Sequence, residues 1–347
     1  MRGRQTPTFE AVGPSAYTEG DQAVLLASEY FDRPMEWQGF VVRRILERAA
    51  NGKFAHHAIA LSVPRQNGKS WVITVVCFYA MVVLGYKILY TCQNGDTSDA
   101  MFLALAAVFE DEENEDVHPL LDRVRRTNGQ QGIYLLNGSF IRFTTRTDSL
   151  ARGRSYDMLV YDEAQELTHS QQSASLPTIS SSKKRDALTI YLGTPPSPGK
   201  DGFVFRMMHD RAHSADPGAT AWIEWGVTEI GDVTDPARWC EANPSIGALV
   251  DETTVEGELA MTADDFARER LGWWDVKGTA TRAIPPQAWE AGAIRKQDIP
   301  EKGKDALGVK FSADGSMWSL AACRVPDAGP MHVELIRTGD MLSLIHI

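Results

Sequence analysis

Short apolar runs alternate with longer helical stretches along the first part of the chain. Four runs have the length and unbroken hydrophobicity of strands that are buried on both faces of a parallel sheet. They cover residues 58–63, 87–91, 158–161 and 188–192. Between and before them, residues 23–50, 71–85 and 98–109 carry apolar residues at helical spacing or throughout. This alternation predicts a doubly wound α/β sheet.

The remaining segments carry different patterns. Asn137-Gly138, between two strand-like runs, predicts a β-hairpin. Residues 1–22 are polar with scattered Gly and Pro and predict a loose arm, whereas residues 222–276 are mainly helical in pattern. We therefore expect a first domain over 23–276 that ends in this helical part.

Three strand-like runs near the end of the chain predict the start of a second domain. They follow a Pro- and Gly-containing stretch at 277–304, which is typical of a linker. The runs at 306–311, 317–325 and 331–337 form a predicted β-meander, so the second domain occupies 305–347. The final letters, LSLIHI, indicate a cut or foreign end, and we expect this domain to be incomplete.

Composition narrows the function classes. The net charge of −11 excludes coating of nucleic acid through bulk charge, so any DNA contact must use local Arg and Lys patches. The four cysteines form no CxxC pair, which argues against a thiolate zinc site and a disulfide framework and favours a reducing cytosol. The N-terminus has no signal-peptide pattern, and the apolar run at 71–85 is shorter than the roughly 20 residues of a membrane span.

The segment SVPRQNGKS at 62–70 stands between a predicted strand and a predicted helix, which is where a phosphate-binding loop occurs. Such a loop points successive backbone N–H groups at an anion, and Gly68 lets the backbone approach closely. Lys69 would reach the β- and γ-phosphates, and the Ser70 hydroxyl would hold Mg²⁺. The strict motif requires glycine where Val63 stands, so an ordinary helix-capping turn is the alternative.

Two adjacent carboxylates, Asp162 and Glu163, end the apolar run at 158–161. In a phosphate-loop ATPase the first carboxylate helps to hold Mg²⁺, and the second orients and polarises the attacking water. Acids that merely cap the next helix are the alternative. Together with the upstream Gly68-Lys69-Ser70, the pair favours an ATPase.

Other segments are weaker candidates. Trp37-Gln38 offers an amide that can pair with an adenine edge, or belongs to a core helix. Gly193-Thr194-Pro195 ends a strand, where it would sense the γ-phosphate or form a plain turn. Three arginines upstream of the acidic pair could stabilise charge on a transferred phosphoryl group, or form a basic surface loop. They are Arg146, Arg152 and Arg154.

These segments resemble the large terminase subunit of tailed bacteriophages. The resemblance rests on VPRQNGKS at 63–70, TCQN at 91–94, SLARGRSYDMLVYDEAQEL at 149–167 and LGTPPSPG at 192–199. It implies an additional-strand ATPase joined to an RNase H-like nuclease. It also implies that double-stranded viral DNA is driven into a procapsid through the portal protein. The small terminase subunit and a homo-oligomeric ring of this chain are the further implied partners, in the cytoplasm of an infected bacterium.

The resemblance also assigns roles to residues. ATP and Mg²⁺ are the implied ligands, with Ser70 and Asp162 on the metal and Glu163 as the catalytic base. An arginine finger falls among Arg146, Arg152 and Arg154, and Arg65 and Lys69 are further catalytic candidates. The implied nucleotide contacts are Trp37, Gln38, Pro64, Arg65, Gln66, Asn67, Gly68, Lys69, Ser70, Gly193 and Thr194.

The nuclease half is less complete in this sequence. GVKFSADGSMWSLAA at 308–322 is similar to the family's first nuclease hairpin, but Lys310 stands near the usual metal-binding Asp. Asp314 is the nearby carboxylate, and Asp314-Gly315 is also a simple hairpin turn. A two-metal site needs several acids, so we predict no nuclease activity from this chain. Another phosphate-loop translocase or helicase, and a non-catalytic fragment that binds portal or small subunit, are the alternative functions.

Overall fold

The computed structural model describes residues 2–127, 129–146, 155–197, 202–275, 292–295, 298–300, 302–311 and 317–340. The chain divides into two compact units, Met1–Gly278 and Thr279–Ile347. The first domain was predicted to end at residue 276, with a linker over 277–304 before the second.

The described strands and helices of the first unit follow the predicted alternation. The strands are β1 (Phe9–Ala11), β2 (Tyr17–Thr18), β3 (Glu47–Arg48), β4 (Ala58–Ser62), β5 (Lys87–Cys92), β6 (Leu121–Arg125), β7 (Gly132–Leu135), β8 (Phe140–Thr145), β9 (Met158–Tyr161), β10 (Leu188–Gly193) and β11 (Thr220–Glu224). The α-helices are α1 (Gly20–Ala27), α2 (Glu36–Ile45), α3 (Lys69–Val82), α4 (Gly95–Glu110), α5 (His169–Ser175), α6 (Pro177–Ser180), α7 (Phe203–Ala212), α8 (Pro236–Ala242), α9 (Glu252–Gly257) and α10 (Ala263–Arg270). Short 3₁₀ turns lie at His118–Leu120, Ala164–Glu166 and Glu258–Ala260.

Nine strands of the described residues form one sheet in the order β1-β11-β4-β10-β9-β5-β8-β7-β6. The six from β11 to β8 pair in parallel, and β1, β7 and β6 pair antiparallel at the two sides. The predicted α/β sheet is confirmed. Because parallel strands end at one edge of a sheet, the segments after β4, β9 and β10 meet there.

Alternate residues of the central strands feed two cores, one on each face of the sheet. In β9, Met158 and Val160 pack into the core that includes α3, whereas Leu159 and Tyr161 pack into the core that includes Phe205 of α7. Residues 72–81 of α3 are all buried, which explains why its sequence is apolar on every side. Among the described residues, no helix combines the length and the hydrophobicity that crossing a lipid bilayer requires.

The N-terminal residues differ from the predicted loose arm. Strand β1 pairs with β11, with Phe9 opposite Glu224, and the Arg4 amide donates to the Cys240 carbonyl at 2.8 Å. The segment is ordered because the outer edge of β11 offers it unpaired backbone groups.

Residues 222–276 are helical only after β11. The apolar run TAWIE continues the large sheet as β11, and α8, α9 and α10 follow it around a small core of their own. This helical part packs Trp239 and Phe266 at its centre. The predicted hairpin at Asn137-Gly138 is confirmed, since β7 and β8 pair antiparallel and Gly138 has a φ of 84°.

The second unit, taken by itself, contains an antiparallel three-stranded meander among its described residues. It consists of β12 (Lys304–Phe311), β13 (Met317–Val325) and β14 (His332–Asp340), as the pattern predicted. Asp314 lies outside the described residues. The RNase H-like character of this unit stays a prediction.

Candidate functional site

The loop between β4 and α3 turns sharply before the helix begins. Gln66 and Gly68 have positive φ values of 63° and 89°, and α3 begins at Lys69. A Cβ atom on Gly68 would lie 2.9 Å from both Gln38 Nε2 and Leu249 Cδ1, so the position requires glycine. The geometry is that of an anion-binding loop at a helix N-terminus.

The Lys69 side chain folds back over this loop. Its Nζ donates to the carbonyls of Val63 at 2.8 Å and Pro64 at 3.1 Å. Burial lowers the pKa of Lys69 to about 8, although the nearby Asp162 carboxylate opposes this shift. Ser70, the next residue, is exposed at the mouth of the loop. The half-buried Lys69 amine is therefore held by two backbone carbonyls close to a carboxylate.

Asn67 is fully buried and ties the loop to the helical part of the unit. Its Nδ2 donates to Asn243 Oδ1 at 2.9 Å, and its Oδ1 accepts from the Ser245 amide at 3.0 Å. The Ser245 hydroxyl also donates to the Asn67 carbonyl at 2.6 Å. Sequence reasoning missed Asn243 and Ser245, whose segment NPS has the composition of any turn.

The two residues predicted to contact adenine, Trp37 and Gln38, brace the loop. Trp37 has no exposed surface; its Nε1 donates to Ser245 Oγ at 3.0 Å and its ring packs edge-on against Trp225. Gln38 is buried, with Nε2 donating to the Gly68 carbonyl at 3.2 Å and Oε1 accepting from the Met35 amide. Both residues belong to a core helix, which was the alternative prediction, because the apolar face of α2 packs inward.

The outer side of the loop contacts α10. Arg65 is 58% exposed and forms an ion pair with Glu269 at 2.5 Å. Arg270 donates to Gln66 Oε1 at 2.7 Å and pairs with Glu258. A cleft of about 450 Å³ lies here, lined by Arg65, Gln66, Glu258, Met261, Asp265, Glu269 and Arg270.

The acidic pair follows β9 directly. Asp162 is 6% exposed; one carboxylate oxygen accepts from the Tyr90 hydroxyl and the other from the Glu163 amide at 2.9 Å. Glu163 has a φ of 54°, which is uncommon for a residue with a side chain, and its Oε2 accepts from the Asn94 amide at 3.2 Å. The pair is therefore held in place rather than free to move.

Arg146 fixes the backbone of this acidic turn from behind. Its guanidinium donates to the carbonyls of Asp162 at 2.5 Å, Glu163 at 3.0 Å and Thr91 at 3.3 Å. Burial lowers its pKa, which the nearby Cys92 and Asp162 oppose, and the residue is 6% exposed. In this placement Arg146 clamps the acidic turn, and its role as an arginine finger stays a prediction. Arg152 and Arg154 lie outside the described residues.

The end of β10 lies between the loop and the acidic turn. The Gly193 carbonyl accepts from the Val63 amide at 3.2 Å, and the Thr194 amide donates to Gln165 Oε1 at 3.3 Å. A Cβ atom on Gly193 would lie 2.8 Å from Phe205 and 2.9 Å from Gln165 Oε1. The end of β10 thus contacts the loop through Val63 and the turn after the acidic pair through Gln165.

The donor set fits a magnesium nucleotide. The Ser70 hydroxyl and the Asp162 carboxylate are hard oxygen ligands of the kind that Mg²⁺ takes, and the loop N–H groups and Lys69 suit phosphates. The charges of both Asp162 and Glu163 act on Lys69.

No protein-family model matches this sequence, and no curated protein is significantly similar to it in sequence. Solved structures do resemble it. The HK97 bacteriophage large terminase aligns at 16% identity with a TM-score of 0.62, over 92% of this chain and 67% of that one. This chain has the fold of a phage large terminase.

Two further large terminases align less well. A Thermus phage large terminase ATPase domain has 18% identity and a TM-score of 0.43, over 64% of this chain and 90% of that one. The large terminase of a thermophilic bacteriophage, solved with ADP, has 11% identity and a TM-score of 0.43, over 94% of this chain and 68% of that one.

The structure brings part of the predicted set to one edge of the sheet. Pro64, Gly68 and Lys69 lie directly after β4, and Asp162 and Glu163 follow β9. Five residues that had no predicted role hold these segments in position, each through a contact distant in sequence. These are Tyr90, Asn94, Gln165, Asn243 and Ser245.

Proposed function

We propose that this chain is the ATP-hydrolysing motor subunit of a bacteriophage DNA-packaging terminase. One observation carries the proposal: the loop after β4 and the acidic pair after β9 lie at the same sheet edge, with β10 between the two strands. In the proposal, a bound triphosphate would face Lys69 on one side and Asp162 on the other.

Binding would begin at the loop. The N–H groups from Gln66 to Ser70 receive the β-phosphate, and the Lys69 ammonium leaves the Val63 and Pro64 carbonyls for phosphate oxygens. Ser70 and Asp162 would hold Mg²⁺, which neutralises charge on the phosphates. The Tyr90 hydroxyl keeps the Asp162 carboxylate turned toward that position.

Hydrolysis would use Glu163 as general base. A water oxygen attacks the γ-phosphorus, the bond from that phosphorus to the β–γ bridging oxygen breaks, and the water proton passes to the Glu163 carboxylate. Arg146 and the Asn94 amide hold Glu163 in place, so that its position is set before ATP arrives. ADP and inorganic phosphate are the products.

Movement would pass through two contacts. Gln165 links the acidic turn to Thr194, so a shift of the γ-phosphate reaches the end of β10. Asn67 links the phosphate loop to Asn243 and Ser245, so the helical part after β11 follows the loop. These links offer a route from hydrolysis to motion of a DNA-gripping surface.

The partners follow from the same proposal. Double-stranded DNA is the cargo, the portal protein and the small terminase subunit are the docking partners, and copies of this chain form a ring on the procapsid in the bacterial cytoplasm. Because the chain carries a net charge of −11, DNA must be held by local cationic patches. Arg123, Arg125 and Arg126 are a poor patch, since Asp122 and Glu110 pair with two of them.

ATP hydrolysis by Glu163→Gln tests the proposal, with Glu166→Gln in the same turn as the matched control. Loss of the base should slow hydrolysis by roughly 100-fold or more while ATP affinity stays close to that of the unmodified chain. The control should hydrolyse normally. Equal rates for Glu163→Gln and the unmodified chain would refute the catalytic assignment.

A further inference from the structure

Two histidines and a glutamate converge between α7 and β11, on elements that the nucleotide site does not use. His209 lies on α7 and His213 one turn later, directly after the helix ends, while Glu224 is the last residue of β11. Glu224 Oε2 lies 3.2 Å from His213 Nε2 and 3.8 Å from His209 Nε2. One potential ligand atom from each residue falls within 4.8 Å of the others.

The two imidazole rings are held in orientation by stacking. The Trp274 ring lies parallel to His209 at 4.0 Å between centroids, and the Phe9 ring stacks on His213 at 3.8 Å. Both Nε2 atoms consequently face the same carboxylate. A preorganised pair of imidazoles loses little conformational freedom on binding an ion.

The outer partners of the cluster match those of metal-bound histidines. Asp210 Oδ1 lies 3.3 Å from His209 Nδ1, which would keep the proton on Nδ1 and leave Nε2 as the electron-pair donor. Trp222 Nε1 donates to Glu224 Oε2 at 2.7 Å and fixes the carboxylate. Carboxylate–histidine contacts of this kind orient ligands at zinc sites.

We propose that His209, His213 and Glu224 bind a zinc-class divalent cation, with a fourth position open to solvent on the His213 side. Two nitrogens and one carboxylate oxygen are a ligand set that Zn²⁺ accepts and Mg²⁺ does not prefer. Tetrahedral ligands at about 2.1 Å from zinc lie about 3.4 Å apart, and the observed 3.2 and 3.8 Å bracket that separation. His213 is 35% exposed, against 8% for Glu224, which gives the ion its entry.

The cation would join three parts of the first unit. It would fix the end of α7 to β11. Because Phe9 of β1 stacks on His213, it would also restrict the motion of that stack. The cysteine pattern does not bear on this site, because no thiolate takes part in it. A hydrogen-bonded His–Glu cluster without metal is the competing account, and the experiment has to separate the two.

Zinc binding to the full chain without a polyhistidine tag tests the proposal. Zn²⁺ titration by calorimetry and metal analysis after dialysis should give one equivalent for the unmodified chain and for His57→Ala, which changes an exposed histidine elsewhere. Replacing a ligand should weaken binding by more than roughly 100-fold, since outer partners alone are worth about 10- to 100-fold.

His213→Gln is the decisive variant, because glutamine can still donate a hydrogen bond to Glu224 but is a poor zinc ligand. Zn²⁺ should raise the melting temperature of the unmodified chain and leave that of His213→Gln unchanged. His209→Ala provides a second ligand variant, and unchanged ATP affinity shows that each variant is folded. No zinc retained by the unmodified chain, or equal zinc affinity in His213→Gln, would overturn the proposal.

Discussion

At the scale of the residue, Glu163 combines a strained backbone conformation with hydrogen bonds that compensate for the strain. Its φ of 54° is a left-handed conformation that costs on the order of 1 kcal/mol for a residue with a Cβ. The Arg146 guanidinium offsets that cost by donating to the carbonyls of Asp162 and Glu163. In this turn the Glu163 carboxylate accepts from the Asn94 amide.

Arg146→Lys tests the clamp, since lysine keeps the charge but cannot reach three carbonyls at once. The variant should lose about 1–3 kcal/mol of unfolding free energy in urea, because buried carbonyls lose their donor, and its ATP turnover should fall by at least tenfold. Arg125→Lys, at an exposed position, should leave both unchanged. Wild-type turnover in Arg146→Lys would show that the turn does not need the clamp.

Lys69 gives the site a pH dependence. Burial lowers its pKa to about 8 in the folded protein, so the amine is neutral above that pH, whereas bound phosphates favour its charged form. ATP binding at pH 9 should therefore take up nearly one proton, and affinity should fall by up to tenfold per pH unit above 8. Calorimetry in two buffers of different ionisation enthalpy measures that uptake.

The same shift predicts the sign of a stability change. Between the folded pKa of about 8 and the unfolded value of 10.5, the unfolded chain binds more protons at Lys69, so stability should rise with pH across this window. Lys69→Met should remove both the rise and the proton uptake. Absence of proton uptake at pH 9 in the unmodified chain would contradict the assigned environment.

The sequence predicted that Lys69, Asp162 and Glu163 follow buried strands, and the structure places them after β4 and β9. Their roles in nucleotide chemistry stay predictions. Trp37 and Gln38 could not be assigned, because their burial is set by packing against Trp225 and by the Gly68 carbonyl, both far along the chain. Residue types indicated the chemistry, whereas contacts between residues distant in sequence determined how Trp37 and Gln38 are used.

At the scale of elements, the loop at residues 63–68 connects the central sheet to the helical part that follows β11. It continues β4 into α3, and Asn67 joins it to the segment after α8 through Asn243 and Ser245. Ser245 also accepts from Trp37 Nε1, so one hydroxyl connects α2, the loop and the helical part. This network holds the loop in shape without a second glycine at Val63.

Ser245→Ala should show how much that network matters. It leaves the buried Trp37 Nε1 and Asn67 carbonyl without a partner, which should cost about 1–3 kcal/mol of unfolding free energy. ATP affinity should fall as well, because the loop loses its anchor. Ser180→Ala, on the exposed end of α6, is the control. An unchanged ATP affinity in Ser245→Ala would mean that the loop holds its shape alone.

The positions of several strands could be predicted from sequence, but the pairing of distant strands could not. Strands buried on both faces, such as β4, β9 and β10, leave continuous apolar runs, and Asn-Gly marks the β7–β8 turn. The pairing of β1 with β11 was missed because three residues carry little periodic signal and the partner lies more than 200 residues away. The position of β10 between β4 and β9 is likewise a long-range property that no local pattern contains.

At the scale of the whole molecule, the net charge bears on how DNA could be bound, whereas the fold bears on relationship to other proteins. Because the net charge is −11, the proposed DNA contact would have to use local cationic patches. The fold of the HK97 large terminase is kept at 16% identity, because burial pattern and strand order constrain few individual residues. All described residues of the nucleotide site belong to the unit Met1–Gly278.

The most direct test of the composite site is calorimetry of ATP binding with and without Mg²⁺. Lys69→Ala should bind ATP roughly 10- to 100-fold more weakly than the unmodified chain, since it removes a charged hydrogen-bond donor. Asp162→Asn should still bind ATP but lose the gain in affinity that Mg²⁺ gives, while the exposed Asp122→Asn keeps it. An unchanged affinity in Lys69→Ala, or an unchanged effect of Mg²⁺ in Asp162→Asn, would contradict a single site built from the loop and the acidic pair.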